Sequence, residues 1–222
     1  MARIYAPGCA LMMYKPHLAH GITSFLNKTG ESKAGEAVPE HHICCRHEPG
    51  LAPGTQIINV CAGCDRRFRS LYEGIATVSL WEVLAGSSTF PFPDYQGLRM
   101  AIHDACPTRT QMRVHDAVRT LLKRMNIQVM EPEHTRDKAV CCGDSFYGVL
   151  PADMVKEQMR RRAGEMPCED VAVYCVSCIK AMHIGGKRPR YLVDLLFGEE
   201  TDIGTFEPDA WHAELKAYIE AH

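Results

Sequence analysis

The sequence lacks an excess of charge of either sign, and it lacks long apolar runs. Lysine and arginine number 25 against 27 aspartates and glutamates, which leaves a formal net charge of -2 at pH 7. A chain without a basic field gives no reason to expect nucleic acid as a partner. No apolar run approaches the roughly 18 residues of a spanning helix, so no membrane span is expected.

A secretion signal and two common redox motifs are also missing. The chain opens on strand-like residues, Ile4-Tyr5-Ala6, without the charged region and apolar core of a signal peptide. We therefore expect a cytoplasmic protein or one bound peripherally to a membrane. There is no GxGxxG turn for a dinucleotide, and no cysteine spacing typical of ferredoxin clusters.

Cysteine, in contrast, is abundant, with 11 in a chain of 222 residues. In a secreted protein this number would suggest disulfides. Here ten of the eleven fall into two groups near predicted strand ends, and Cys168 alone lies outside both. Reduced thiolates that serve as metal ligands explain this pattern better than disulfides do.

The second group has the spacing C-x34-C-C-x32-C-x-x-C and consists of Cys106, Cys141, Cys142, Cys175 and Cys178. Adjacent cysteines rarely point at one tetrahedral ion without strain, so a single zinc ion would use at most four of these five. A polynuclear cluster can use both neighbours, one on each of two irons.

The first group repeats the second, with Cys9, the pair Cys44-Cys45, Cys61 and Cys64. The first three are displaced by 97 residues from their counterparts and the last two by 114, which one 17-residue insertion explains. Flanking residues follow the cysteines, because SLWEVLAG at 79–86 aligns with YLVDLLFG at 191–198. The chain therefore contains an internal repeat.

Strand-like and helix-like segments alternate in both copies, which predicts an α/β fold of two pseudo-symmetric halves. Each half is expected to be a small parallel sheet flanked by helices, with its cysteines at the carboxyl ends of the strands. The predicted organisation is a first half at 1–86, a linker at 87–98, a second half at 99–198 and a C-terminal tail helix within 199–222. Trp211 lies on the apolar face of that helix. We expect the helix to dock back on the body of the protein, and the alternative is that it presents Trp211 to a partner subunit.

The second half contains MAIHDACP at 100–107, Cys141-Cys142-Gly143 and YCVSC at 174–178. These segments resemble the cysteine-rich CCG domain family, typified by the B subunit of heterodisulfide reductase, and the resemblance spans roughly residues 1–198. It implies one non-cubane 4Fe–4S cluster per motif, each held by five cysteine thiolates, in a protein that handles electrons and thiols or disulfides. The implied ligands are Cys9, Cys44, Cys45, Cys61, Cys64, Cys106, Cys141, Cys142, Cys175 and Cys178.

The first half departs from the family pattern in two ways. Arg46 stands where the family has glycine, and only 15 residues separate Cys45 from Cys61. A strand or helix of the usual subdomain is therefore expected to be missing there.

Three functions are compatible with these motifs. The first is a redox subunit that reduces or forms a disulfide or thiol substrate, with a partner subunit carrying flavin or cubane iron–sulfur clusters. The second is an electron relay, as in the related subunits of lactate, glycolate or glycerol-3-phosphate oxidising complexes. The third is a zinc-binding structural protein, in which His41, His42 or His47 could complete a site in the first half.

Two further groups of residues have two readings each. His103 and Asp104, which lie next to Cys106, could move protons or could orient the end of the strand. Arg160, Arg161 and Arg162 could attract an acidic partner, but a solvated helix face is the expected role.

Overall fold

The computed structural model of the chain describes residues 2–28, 37–42 and 44–221. In that part of the chain, strands and helices alternate. The strands are β1 (Arg3–Ala6), β2 (Gln56–Asn59), β3 (Ala76–Ser79), β4 (Arg99–His103), β5 (Gln128–Met130), β6 (Asp170–Val173) and β7 (Arg188–Tyr191). The helices are α1 (Cys9–Tyr14), α2 (Pro16–Lys28), α3 (Ala62–Leu71), α4 (Leu80–Gly86), α5 (Met112–Arg124), α6 (Ala152–Gly164), α7 (Val176–Ile184), α8 (Leu192–Phe197) and α9 (Pro208–Ala221).

The strands form two parallel sheets. One has the order β1-β2-β3 and the other the order β5-β4-β6-β7, and every pair of neighbouring strands is parallel. The predicted α/β class, with two small parallel sheets flanked by helices, is therefore confirmed.

The chain forms two compact units, and the boundary between them follows Pro91, within the linker predicted at 87–98. The first unit comprises the described residues up to Pro91 and those from Leu215 onward, and the second comprises Phe92–Glu214. In the second unit Trp211 of α9 is 2% exposed and its indole N–H lies 3.4 Å from the Ser177 hydroxyl. This end of the C-terminal helix docks on α7, as expected.

Each sheet has a buried central strand. In the first unit, Ile57 and Ile58 of β2 have no exposed surface. In the second, all four residues of β6 are buried. Strands that are covered on both faces consist of nearly continuous apolar residues, which explains why these segments do not alternate between apolar and polar residues.

The repeat is visible in the topology, because β1, β2 and β3 correspond to β4, β6 and β7. Helix α4 begins directly after β3, and α8 begins directly after β7, so the aligned segments 79–86 and 191–198 occupy equivalent places. The second half adds β5 and α6. At the corresponding edge of the first sheet, the described residues contain only an isolated parallel bridge between Tyr5 and Glu40.

No helix in the described part of the chain combines the length and the apolar character needed to cross a membrane.

Candidate metal centres

Four of the cysteines lie directly beyond the carboxyl ends of strands, where parallel sheets place their functional loops. Cys9 begins α1 after β1, and Cys61 is the residue that precedes α3 after β2. In the second half, Cys106 begins a short 3-10 turn after β4, and Cys175 precedes α7 after β6. The predicted position of these cysteines at strand ends agrees with the structure.

The first thiol cluster, as we call the cysteines of the first unit, is a continuous chain of contacts. The thiols of Cys9 and Cys44 are hydrogen-bonded to each other, Cys45 contacts both Cys44 and Cys64, and Cys64 contacts Cys61. Cys44 and Cys45 are buried. The structure therefore brings together all five residues of the first motif, although Arg46 replaces the glycine.

Within this cluster, negative charge is favoured at the start of α3. The Cys64 thiol and the backbone N–H groups of Gly63 and Cys64 donate hydrogen bonds to the Cys61 sulfur, which lowers the pKa of Cys61 to about 6. These N–H groups are free because the first turn of a helix leaves its donors unpaired. At the other end of the cluster, burial and the neighbouring Cys44 raise the pKa of Cys9 to about 12.

Gly8 allows two segments of the first cluster to approach each other. Its φ is 79°, in the left-handed region, and a Cβ there would lie 3.4 Å from Cys64 Sγ and 3.5 Å from Cys61 Cβ. Glycine is therefore favoured at this position by both its backbone conformation and the close packing of the thiols.

The second thiol cluster has the same pattern of contacts. Cys141 is hydrogen-bonded to Cys106 and Cys142, and Cys178 is hydrogen-bonded to Cys142 and Cys175. All five residues of the second motif therefore also lie together.

Negative charge in the second cluster is favoured at Cys141. Hydrogen bonds from the thiols of Cys106 and Cys142 hold the pKa of Cys141 far below its usual range. Its sulfur also lies 2.9 Å from the Ser145 hydroxyl and accepts from the Gly143 N–H at 3.4 Å. The pKa values of Cys106 and Cys142 are raised chiefly by their hydrogen bonds to Cys141, so these thiols keep their protons.

The loop that carries Cys141 and Cys142 is held at its far side by α9. The rings of Tyr147 and His212 are stacked with centroids 3.8 Å apart, and His212 Nε2 lies 3.0 Å from Asp144 Oδ1. These contacts position the segment immediately after the vicinal pair.

Asp104 anchors the end of β4. It has no exposed surface, and its carboxylate accepts hydrogen bonds from Arg119, Thr135, Tyr174 and the backbone N–H of Arg136. Burial opposes the charge, but the bonds from the Arg119 guanidinium outweigh it and hold the Asp104 pKa well below its usual range. Of the two roles considered for Asp104, this geometry supports orientation of the strand end.

His103 is completely buried beside the second cluster. One of its ring nitrogens and the Sγ atoms of Cys142 and Cys178 all lie within 4.8 Å of one another. Its Nδ1 accepts a hydrogen bond of 3.2 Å from Arg162 Nε, whereas its Nε2 is buried and has no hydrogen-bond partner among the described residues.

The expectation that Arg162 lies on a solvated face is wrong. Its side chain is 1% exposed, and it packs with Val155 and Met159 on the buried face of α6. The spacing of these three residues, i, i+4 and i+7, is the helical signal that could have identified Arg162 as buried. The run of three arginines obscured that signal.

The histidines near the first vicinal pair are placed differently. His42 Nε2 lies 3.0 Å from Glu40 Oε2, and His47 is exposed. The pair itself is tied to the end of α3, because the Tyr72 hydroxyl donates to the carbonyl oxygens of Cys45 and His47 at 3.3 and 2.8 Å. These contacts do not favour zinc binding by His42 or His47, whereas His41 Nε2 is buried and has no hydrogen-bond partner among the described residues.

Comparisons with known proteins do not identify the chain. No family model matches it, and no curated protein matches it. A solved structure, Picrophilus torridus aspartate racemase, is similar over 99% of this chain and 100% of its own, at 10% sequence identity and a TM-score of 0.34. A likeness this distant carries no argument about function.

Proposed function

We propose that this chain is an iron–sulfur redox subunit that reduces or forms disulfides at two polynuclear clusters, one in each unit. The observation that carries the proposal is the gathering of ten cysteines into two groups of five, each built around a vicinal pair. The resemblance to the CCG domain family supports the same function.

The donor set fits a polynuclear iron–sulfur cluster better than a single ion. A tetrahedral zinc site takes four ligands, so the fifth thiol in each chain of contacts would have no role. Adjacent thiols suit a cluster, because each can bind a different iron. The amide donors at the start of α3 also favour an anionic group bound by thiolates.

Zinc bound by His103, Cys142 and Cys178 is disfavoured by a specific contact. A histidine that binds zinc donates its other ring N–H to an acceptor. The atom that faces His103 Nδ1 is Arg162 Nε, which can only donate. The ring is therefore oriented for a role other than zinc binding.

The chemistry requires a partner. Cleavage of a disulfide takes up two electrons and two protons and yields two thiols, and disulfide formation releases them. The bound clusters would supply one-electron redox chemistry. Because the sequence has no dinucleotide turn and no ferredoxin spacing, we propose that a partner subunit with flavin or cubane clusters supplies or removes the electrons. We place this activity in the cytoplasm.

The first test is the content of iron, zinc and acid-labile sulfide in protein purified without oxygen. We expect about eight irons and as many sulfides per chain, and about four of each in Cys45→Ala and in Cys142→Ala, since each variant damages one cluster. Cys168→Ala, outside both groups, is the matched control and should retain the full content. Zinc without sulfide, or iron that is insensitive to these substitutions, would overturn the proposal.

The second test separates sulfur chemistry from electron relay. The loaded protein, reduced with dithionite and freed of excess reductant, is mixed with a small asymmetric disulfide, and the released thiols are counted. Two thiols per two electrons withdrawn would support disulfide reduction. Reduced clusters that release no thiol but pass electrons to a soluble one-electron acceptor would instead establish the relay function.

A further inference from the structure

The position of His103 distinguishes the second thiol cluster from the first. His103 is the last residue of β4, and the residue at the equivalent place in the first half, 97 positions earlier, is Ala6 at the end of β1. Both are buried, and both precede the first cysteine of their motif by three residues. Only the second cluster therefore has an imidazole beside its thiols at this position.

Arg162 determines which nitrogen of His103 carries the proton. Its guanidinium is fixed by three contacts, from Nη1 to Glu165 Oε2 at 2.6 Å, from Nη2 to the His134 carbonyl at 2.8 Å and from Nε to His103 Nδ1 at 3.2 Å. A guanidinium has donors and no acceptor, so Nδ1 must accept. An Nδ1 atom that accepts a hydrogen bond carries no proton, so the ring is neutral. The single proton is therefore on Nε2.

The Nε2–H group needs an acceptor. It is buried and makes no hydrogen bond to any described residue. A buried donor left unpaired costs about 1–3 kcal/mol, so such groups in folded proteins have partners. The sulfurs of Cys142 and Cys178 lie within 4.8 Å of one of the ring nitrogens, and sulfur can accept a hydrogen bond.

We propose that His103 donates its Nε2–H to a sulfur of the iron–sulfur group bound at the second thiol cluster and is not itself an iron ligand. This inference rests on the proposed function and adds to it a role for one residue beside the second cluster. A hydrogen bond to sulfur stabilises the more negative, reduced state and raises the reduction potential. Ala6 offers no such donor, so this contribution to the reduction potential is expected at the second cluster and not at the equivalent position of the first.

The test is a potentiometric titration of the loaded protein, followed by EPR, for the wild type and three variants. In His103→Leu the potential of the second cluster should fall while that of the first stays unchanged. His103→Gln, which keeps an N–H group near the position of Nε2, should restore part of the difference. His115→Leu is the matched control, because His115 is equally buried in the second unit and its Nε2 pairs with Thr108 instead of the thiols. It should leave both potentials unchanged.

A spectroscopic measurement distinguishes a donor from a ligand. With ¹⁵N-labelled histidine, the second cluster should show a weak nitrogen coupling and an exchangeable proton coupling that disappears in D₂O, and both should be lost in His103→Leu. A strong nitrogen coupling would show that His103 binds iron and would overturn the inference. Normal iron content with no change of potential in His103→Leu would also overturn it, whereas absence of iron would instead contradict the proposed function.

Discussion

Gly143 completes the Cys-Cys-Gly sequence of the second half, and the neighbouring helix explains why glycine stands there. Its φ is 113°, and a Cβ would lie 2.7 Å from Met159 Cγ and 2.8 Å from the backbone nitrogen of Met159 in α6. The first half has no counterpart of α6 among its described residues. Arg46, at the equivalent position, is exposed and does not have a positive φ. The glycine is therefore a requirement of the packing against α6.

A substitution at Gly143 tests this explanation. Gly143→Ala should lower the free energy of unfolding by about 3 kcal/mol, because it combines left-handed strain with overlap against helix backbone. Gly148→Ala is the control, since Gly148 also has a positive φ, 79°, but has nothing within 4 Å of the added atom. It should cost only about 1 kcal/mol. Denaturant unfolding of both variants measures the difference, and equal losses would contradict the role of α6.

Asp104 connects four elements of the second half. Its carboxylate joins the end of β4 to α5 through Arg119, to the turn at Thr135 and Arg136, and to Tyr174, the residue before Cys175. The bonds to Arg119 are bidentate, at 3.1 and 2.8 Å. The segments that carry Cys106 and Cys175 are therefore held in place by a buried ionic network as well as by the sheet.

Removal of this charge should destabilise the second unit. Asp104→Asn keeps the shape but leaves Arg119 partly unpaired in the interior, and we expect a loss of about 3 kcal/mol in the free energy of unfolding. Asp116→Asn is the control, because Asp116 forms an ion pair with Arg136 at 2.6 Å but is 66% exposed. Exposed pairs contribute less than about 1 kcal/mol. A similar loss in both variants, measured by denaturant unfolding, would argue against a special role for Asp104.

At the scale of the whole molecule, the two thiol clusters are supported unequally by the protein around them. The second vicinal pair lies next to a stacked Tyr147 and His212, whereas the first is tied to α3 by the hydroxyl of Tyr72. The second unit also has the buried Asp104 and Arg162 networks. The first unit has a smaller buried network, in which Asp65 pairs with Asn59 and Arg69, so we expect its vicinal pair to depend more on whatever the cysteines bind.

Removal of the proposed iron–sulfur groups should reveal this difference. After anaerobic chelation, we expect amide hydrogen exchange to increase more at residues 44–47 than at residues 141–147, because a ligand that binds only the folded state stabilises most where the protein's own contacts are fewest. The prediction is checked by mass spectrometry, which measures amide hydrogen exchange in the loaded and the iron-depleted protein. An equal increase in the two loops would show that the protein supports both clusters to the same extent.

The sequence by itself determined the class of fold, the repeat and the position of cysteines at strand ends, because these depend on periodicity and spacing along the chain. Apolar runs between helix-like segments predict buried parallel strands, and parallel strands bring their carboxyl ends to one edge. The 17-residue insertion between Cys142 and Cys175 similarly indicated an extra element, which is α6.

Only the tertiary structure decided what surrounds the thiols. Arg162 reads as one of three surface arginines, and its burial follows from the packing of α6 against the sheet. Which ring nitrogen of His103 carries the proton depends on Arg162, 59 residues later in the chain. The need for glycine at position 143 depends on Met159. Charge, tautomer and steric limits at a site arise from contacts between distant segments, and no local pattern in the sequence records them.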